Sequence, residues 1–417
     1  MPVSGKRKNK KSGKPTPARI PVSSAPPPAA AVIGQVLGRR DRLDAARRER
    51  ARPIADGLVA DLAASNGDAI AREDELCARL GPILHELASG PGIEQYVSPD
   101  TFARVLVERA IAAVQVALTA GGDPLPAWRA LAAVAAVVPY GLAQQAFEQD
   151  LPGLRSLPGG TQLPALPETP APSEVRWTRD RYGSRIGVVA AFPAGETHRW
   201  YLWDIDACTY RPLTVHSGYY ASAEQAAEQW RAGVGPVASD GTSWEPGLLA
   251  EVMPRLEGLL ETGGESPEQF AEYYRCRQLS YVVLQSQPDA ASVDVDCDEV
   301  ADEFVAWLAE QGTAATPDLQ EAAAELADSW KSETPSLYFT CPPHRVAYMV
   351  THLRNYYLDD FVEELIRLLP QWITWLAERT GAAPELVERC LPYARGEKDP
   401  ADFHEGERSE ALARVIE

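Results

Sequence analysis

The sequence predicts an α+β protein, mostly α, in which two helical bundles flank a small three-stranded antiparallel sheet with one helix. Three observations lead to this prediction. Apolar residues recur at helical spacing over residues 54–151 and again over residues 244–393. Runs of β-branched and aromatic residues at 186–192 and 199–205 lie between these segments, separated by a short Pro-Ala-Gly-Glu turn. A Pro-rich stretch at 152–174 precedes the strands.

The N-terminal 35 residues combine a lysine cluster with many prolines and contain almost no large apolar side chains. Such a segment cannot offset the entropy lost on ordering, so residues 1–35 are predicted to be a disordered basic arm. A helical pattern begins near Val32, and residues 39–52 hold seven arginines against three acids. We therefore expect a basic, exposed helix to follow the arm.

The other segments are bounded by glycine, proline and asparagine signals such as Asn66-Gly67 and Gly121-Gly122. Residues 36–151 are predicted to form a helical domain of about four helices. A third extended run, Leu213–Tyr220, precedes a helical stretch that reaches Trp230. The rest of the chain is predicted to form a Pro-rich linker (152–174), a β-β-β-α module (175–243), a helical bundle (244–395) and a polar tail (396–417).

Charge is distributed very unevenly along the chain, whose net charge at pH 7 is −19. Residues 1–52 contain 14 Lys and Arg against three Asp and Glu, a net of +11, and the rest of the chain has a net of −30. This split predicts that the arm binds nucleic acid or another polyanion, or docks on the protein's own acidic body. The candidate binding residues in the arm are Lys6, Arg7, Lys8, Lys10, Lys11 and Lys14.

A second basic segment lies at the start of the β-β-β-α module, where four arginines within ten residues accompany a single acid, Asp180. The strands that follow carry Trp200, Tyr201 and Trp203, and a basic edge beside exposed aromatics is typical of single-stranded nucleic-acid or phosphorylated-ligand binding. In the alternative interpretation, Trp200 and Leu202 pack under the helix while the arginines pair with acids of the body. The candidate residues are Arg176, Arg179, Arg181 and Arg185.

Residues 373–390 have the layout of a helix-turn-helix, with Gly381 at the turn. The spacing resembles that of the bacterial repressor type of this motif. The second helix, however, offers Glu385, Glu388 and only Arg389, whereas phosphate contact and base recognition need cationic or amide side chains. An αα-hairpin inside a helical bundle is the favoured alternative.

Cys341 and His344, separated by two prolines, are the candidate nucleophile and base of a thiol-dependent enzyme. The alternative is that Pro342 or Pro343 simply begins a helix. His352 lies about 12 Å farther along such a helix, too far to share a metal ion with His344. No glycine-rich phosphate loop is present, and we expect no cofactor and no metal.

The six cysteines are scattered without a C-x-x-C pair, which favours reduced thiols and a cytoplasmic location. No membrane association is expected, because the longest charge-free stretch, 130–147, is interrupted by Pro139 and Gly141. The leading hypothesis is a non-enzymatic binding or adaptor protein whose arm contacts a polyanion. The alternatives are a thiol-dependent enzyme and a protein-interaction scaffold whose arm docks on its own body.

Overall fold

A computed structural model gives the architecture, which over the described residues is mostly helical with a single antiparallel sheet. The chain divides into two compact units, residues 1–46 and residues 47–417. The candidate residues of the arm, from Lys6 to Lys14, lie outside the described part of the chain. The structure describes residues 29–89, 95–207, 212–249, 252–253, 266–286, 295–331, 337–357 and 359–398.

Among the described residues, five helices rather than about four precede the sheet, because Pro139 separates the last two of them. Side-chain oxygens cap two of these helices: Asp68 accepts from the N–H of Ala71, and Ser98 accepts from the N–H of Thr101. The helices are α1 (Ala29–Ala64), α2 (Ala69–Ala88), α3 (Pro99–Thr119), α4 (Leu125–Val137) and α5 (Tyr140–Ser156).

The core of these helices also includes residues from much later in the chain. Helices α8 (Pro267–Ala271) and α9 (Tyr273–Gln285) contribute Phe270, Tyr273 and Tyr274 to it. Helix α8 approaches α2 closely at Gly81, where a Cβ atom would collide with the carbonyl oxygen of Pro267. One hydrophobic core is therefore built from segments that lie well over 100 residues apart in sequence.

In the part of the chain that the structure describes, the sheet has five strands, not the three predicted, in the order β4-β3-β2-β1-β5. The three predicted strands are present as β2, β3 and β4. The first strand was not predicted because it is only six residues long and its arginines were interpreted as a basic segment, and the last because it is two residues long. The strands are β1 (Glu174–Arg179), β2 (Arg185–Ala194), β3 (Thr197–Asp206), β4 (Leu213–Tyr220) and β5 (Glu245–Pro246).

Both faces of the sheet are covered, although the sequence predicted only one covering helix. Helix α6 (Ala223–Val234), followed by the short α7 (Pro236–Ser239), packs Trp230 against Leu202 of β3 on one face. On the other face, Leu279 of α9 packs against Trp203. The two central strands are consequently buried from both sides, which explains the nearly continuous apolar run of β2.

The C-terminal helices share a core that includes Trp330 and Trp372. Pro370 lies inside one continuous helix, where the sequence pattern predicted two separate helices. A further helix was predicted over 246–260; its described residues 246–249 are not helical, and most of the others lie outside the described part. The helices are α10 (Cys297–Glu310), α11 (Pro317–Ser329), α12 (Pro343–Tyr356), α13 (Asp359–Thr380) and α14 (Pro384–Ala394).

Gly187 of β2 allows α6 to pack closely on the sheet, since a Cβ atom there would lie 2.8 Å from Cδ1 of Trp230 and 2.8 Å from Cη2 of Trp244. We expect Gly187→Ala to lower the free energy of unfolding by about 1–3 kcal/mol through overpacking. The matched control is Gly218→Ala on β4, where no heavy atom lies within 4 Å of the added carbon, and it should change stability by less than about 0.5 kcal/mol. Urea unfolding of both variants measures the two changes in unfolding free energy. Equal changes would contradict the close packing at Gly187.

Candidate functional site

A cavity of about 550 Å³ lies between the β1–β2 turn and the hairpin formed by α13 and α14. Its polar wall contains Arg179, Asp180 and Arg181, and Cys341 lies in the wall as well. The rest of the wall is largely apolar. The apolar side chains that line it include Phe339, Ile373, Ala377, Leu386 and Val387.

The β1–β2 turn is held tightly by its own hydrogen bonds. The N–H of Asp180 donates to the carbonyl oxygen of Arg185 (2.8 Å), and the N–H of Gly183 donates to that of Asp180 (2.9 Å). Gly183 has a φ of +78°, a conformation that glycine adopts without steric cost. Oδ1 of Asp180 accepts from the N–H groups of Ser184 (2.8 Å) and Arg185 (2.9 Å). The turn thus fixes the position of the Asp180 carboxyl.

Asp180 is only 4% exposed. Its burial raises the pKa of its carboxyl to about 6, although the two backbone N–H donors and the charges of His344 and Arg185 act in the opposite direction. Its second oxygen, Oδ2, is buried and has no hydrogen-bond partner among the described residues. A buried carboxylate oxygen without a donor is unfavourable, which agrees with the raised pKa of the carboxyl.

Arg185, a candidate for the basic surface, is instead buried in the sheet. Its Nε and Nη2 atoms donate to the two carboxylate oxygens of Asp204 at 2.5 and 2.8 Å. The side chains are 4% and 3% exposed. The inclusion of Arg185 in a polyanion-binding surface is therefore corrected, because its guanidinium is out of reach and already neutralised.

The other three arginines of this segment differ in their partners. Arg176 pairs with Glu174 (2.5 Å) and lies over the ring of Trp200 (5.6 Å). Arg181 forms an ion pair with Glu385 of α14. Arg179 is exposed and makes no ion pair with a described residue. The segment therefore offers one cation that is not neutralised by a described acid, and that cation lines the cavity.

The aromatic residues of β3 do not form an exposed platform as a group. Tyr201 and Trp203 are fully buried on the α9 face of the sheet. On the α6 face, Leu202 is buried and Trp200 is partly buried, which is the packing described by the alternative interpretation. Only Trp200 retains contact with solvent, so a stacking surface made of all three rings is ruled out by their burial.

Cys341 and His344 are not brought together as nucleophile and base. His344 is 1% exposed, and its Nε2 lies 3.3 Å from Oδ2 of Asp206 at the end of β3. No hydrogen bond joins Cys341 to His344 among the described residues, and the carbonyl oxygen of Cys341 accepts from Sγ of Cys390 (3.1 Å). The imidazole thus links α12 to the sheet, and a thiol–imidazole pair is not formed.

The predicted helix-turn-helix segment is the α13–α14 hairpin, with Gly381 in the turn at a φ of +66°. Leu386 and Cys390 of α14 are buried, and Leu386 lines the cavity. Glu385 is exposed and engaged with Arg181. The second helix therefore presents acids outward and an apolar face to the cavity, as an αα-hairpin in a bundle does.

A second, partly buried ionic cluster joins α2, the sheet and the α8–α9 segment. Asp74 accepts from Arg199 (2.9 Å) and from Arg275 (2.5 Å), and Arg275 also pairs with Glu272. The hydroxyl of Tyr201 donates to Glu272 (2.9 Å). Sequence reasoning missed this cluster because its members come from three parts of the chain that are far apart in sequence: α2, β3 and the α8–α9 segment. Its charges satisfy one another, so its role is to hold these elements together.

Among the described residues, no group of three or more His, Cys, Asp or Glu side chains is placed to hold a metal ion. None of the described helices is long and apolar enough to span a membrane. No protein-family model, curated protein or solved structure matches this chain. Function must therefore be argued from the geometry and charge of the molecule.

The raised pKa of Asp180 predicts that the free energy of unfolding depends on pH. Because the folded pKa is about 6 and the unfolded value is 3.8, the protonated carboxyl stabilises the fold most, and this contribution is lost as pH rises from 4 through 6. Asp180→Asn keeps the acceptor oxygen but cannot ionise. We expect the unfolding free energy of this variant, relative to the parent, to rise by about 2–3 kcal/mol between pH 4 and pH 7.5. Urea unfolding of both proteins across this pH range measures the difference in unfolding free energy. A difference that does not change with pH would contradict the prediction.

Proposed function

We propose that this protein is a non-enzymatic binding protein whose basic N-terminal segment binds nucleic acid. The observation that carries the proposal is the division of charge, with a net of +11 in residues 1–52 and −30 in the rest of the chain. A segment of this charge is attracted to phosphates along a nucleic-acid backbone, while the acidic remainder repels them. Contact is then confined to the basic segment.

The described part of the first unit supports this proposal. Within helix α1, Arg39, Arg40 and Arg42 are exposed. Arg40 lies 4.0 Å from Asp44, whereas Arg39 and Arg42 make no ion pair with a described residue. Ion pairs this exposed contribute little, so these cations remain available to phosphate groups.

Catalysis by Cys341 receives less support than binding does. A thiol nucleophile needs a base within hydrogen-bond reach. The nearest histidine in sequence, His344, instead faces Asp206 and lies in the interior. Binding through the basic segment does not require side chains in a fixed geometry, because contacts with phosphate groups depend mainly on charge.

Replacing the six candidate cations of the arm, Lys6, Arg7, Lys8, Lys10, Lys11 and Lys14, with glutamine tests the proposal in the full chain. Binding to labelled duplex DNA, single-stranded DNA and RNA is measured across a salt series by fluorescence anisotropy. If all six residues contact phosphates of the duplex, the slope of log K against log salt should fall by about 5.

The matched control also lowers the net charge by six, but at exposed cations elsewhere in the chain. It should bind nucleic acid nearly as the parent does. Equal losses in the two variants, or no binding by the parent at low salt, would overturn the proposal. Protease protection of the arm that disappears at high salt would then favour docking on the acidic body. The control replaces Arg129, Arg231, Lys331, Arg354, Arg367 and Lys398 with glutamine.

A further inference from the structure

The proline-rich segment 163–172 joins the N-terminal helices to the sheet, and nothing in the proposed nucleic-acid binding uses it. Its sequence is Leu-Pro-Ala-Leu-Pro-Glu-Thr-Pro-Ala-Pro, in which all but two residues are a proline or directly precede one. Proline fixes φ near −65°, and the residue before a proline is restricted to extended conformations. The sequence therefore favours a polyproline II helix, which has three residues per turn. Prolines recur with this period, at Pro164, Pro167 and Pro170.

The backbone of segment 163–172 agrees with this conformation. Leu163 has a φ of −64° and a ψ of 137°, which are polyproline II values. Among the described residues, none forms a backbone–backbone hydrogen bond with any residue of 164–172. A polyproline II helix likewise has no internal hydrogen bonds. The segment is therefore an extended helix of three residues per turn.

One face of this helix is fixed to the body of the protein. Leu163 is buried in the core of the N-terminal helices, and Leu166 packs against the same core. Nε2 of Gln278 on α9 donates to the hydroxyl oxygen of Thr169 (3.3 Å), and the Arg155 guanidinium donates to the carbonyl oxygen of Leu163. These inward positions are three residues apart, as expected for a helix of three residues per turn that lies on a surface.

The prolines lie on the outer side of the same helix. Pro164, Pro167 and Pro170 are all exposed, and so are Ala165 and Glu168 between them. Successive prolines are about 9 Å apart along the axis, because a polyproline II helix rises about 3.1 Å per residue. Since the inward contacts already hold the segment, a partner that binds these prolines loses little affinity to ordering them.

We propose that the row formed by Pro164, Pro167 and Pro170 is the docking surface for a partner protein with an aromatic-lined proline-binding groove. Grooves of this kind bind PxxP segments that are already in the polyproline II conformation. Their aromatic rings pack on the proline rings. Their tryptophan N–H and tyrosine O–H groups donate to backbone carbonyl oxygens of the segment, which no backbone N–H of a described residue engages over 164–172.

Charge specifies the partner further. Glu168, between the second and third prolines of the row, is exposed and makes no ion pair with a described residue. Outside its first 52 residues the chain has a net charge of −30, which attracts a basic partner and repels an acidic one. The groove that fits this surface therefore carries lysine or arginine beside its aromatic side chains.

Surface plasmon resonance of the full chain over a panel of immobilised SH3 and WW domains tests the proposal, because these domains have aromatic-lined grooves that bind proline-rich segments. At least one domain with lysine or arginine at the rim of its groove should bind saturably, with a Kd of about 100 μM or tighter. Replacing Pro164, Pro167 and Pro170 with alanine should weaken this binding about tenfold or more. No saturable binding by any domain overturns the proposal, as does a triple variant that binds as the parent does.

The matched control also replaces three exposed prolines with alanine, but outside the segment. It should bind as the parent does, and urea unfolding of both triple variants verifies that each is folded. Equal losses of binding in the two triple variants would contradict a docking surface at 163–172. The control replaces Pro246, Pro317 and Pro384.

Two single changes keep every proline and test the exposed side of the helix directly. Ala165→Arg places a bulky cation beside the prolines and should weaken binding about tenfold. Glu168→Gln should weaken it about two- to fivefold and reduce its dependence on salt. Glu196→Gln, at an exposed acid in the β2–β3 turn, is the matched control and should bind as the parent does. Unchanged binding by Ala165→Arg, or equal effects of the two glutamine variants, would overturn the assignment.

Discussion

The buried ion pair between Arg185 and Asp204 is the interaction on which the candidate site depends. It joins the two central strands at the end nearest the cavity, and both carboxylate oxygens are engaged. Removing one partner of such a pair leaves an uncompensated buried charge, at a cost of about 3–5 kcal/mol. Arg185 also accepts the backbone hydrogen bond that closes the β1–β2 turn, so the position of Asp180 follows from the same residue. Nearby, Asp206 connects this end of the sheet to α12 through His344.

Local patterns were sufficient for part of the fold. The strands β2 to β4 were predictable from runs of β-branched and aromatic residues, and most helices from apolar residues that recur at helical spacing. The strand β1 was not predicted, although its charged and apolar residues alternate as in a half-buried strand, because it is short and its arginines were interpreted as a basic segment. The packing of α8 and α9 on α2 could not be predicted from the sequence either. Gly81 and Pro267 are far apart in the sequence, and only the structure shows that they are in close contact.

The candidate site could be predicted in pieces but not as a whole. Sequence reasoning picked out the arginines near Asp180, the cysteine at 341 and the hairpin at 373–390 as three unrelated features. The structure places members of all three around one cavity, although about 200 residues separate Asp180 from the hairpin. The sequence feature that could have indicated this site is the single acid, Asp180, among four arginines, followed by Gly183 at a turn. Without β1 in the prediction, that turn could not be recognised as a strand connection.

The division of charge along the chain is the physical basis of the proposed function. Outside the first 52 residues the chain has a net charge of −30, so its field opposes the approach of an anionic ligand. The first 52 residues have a net charge of +11 and attract the same ligand. Under the proposed function, contact with a polyanion is therefore confined to the N-terminal segment, and it weakens as salt screens both effects.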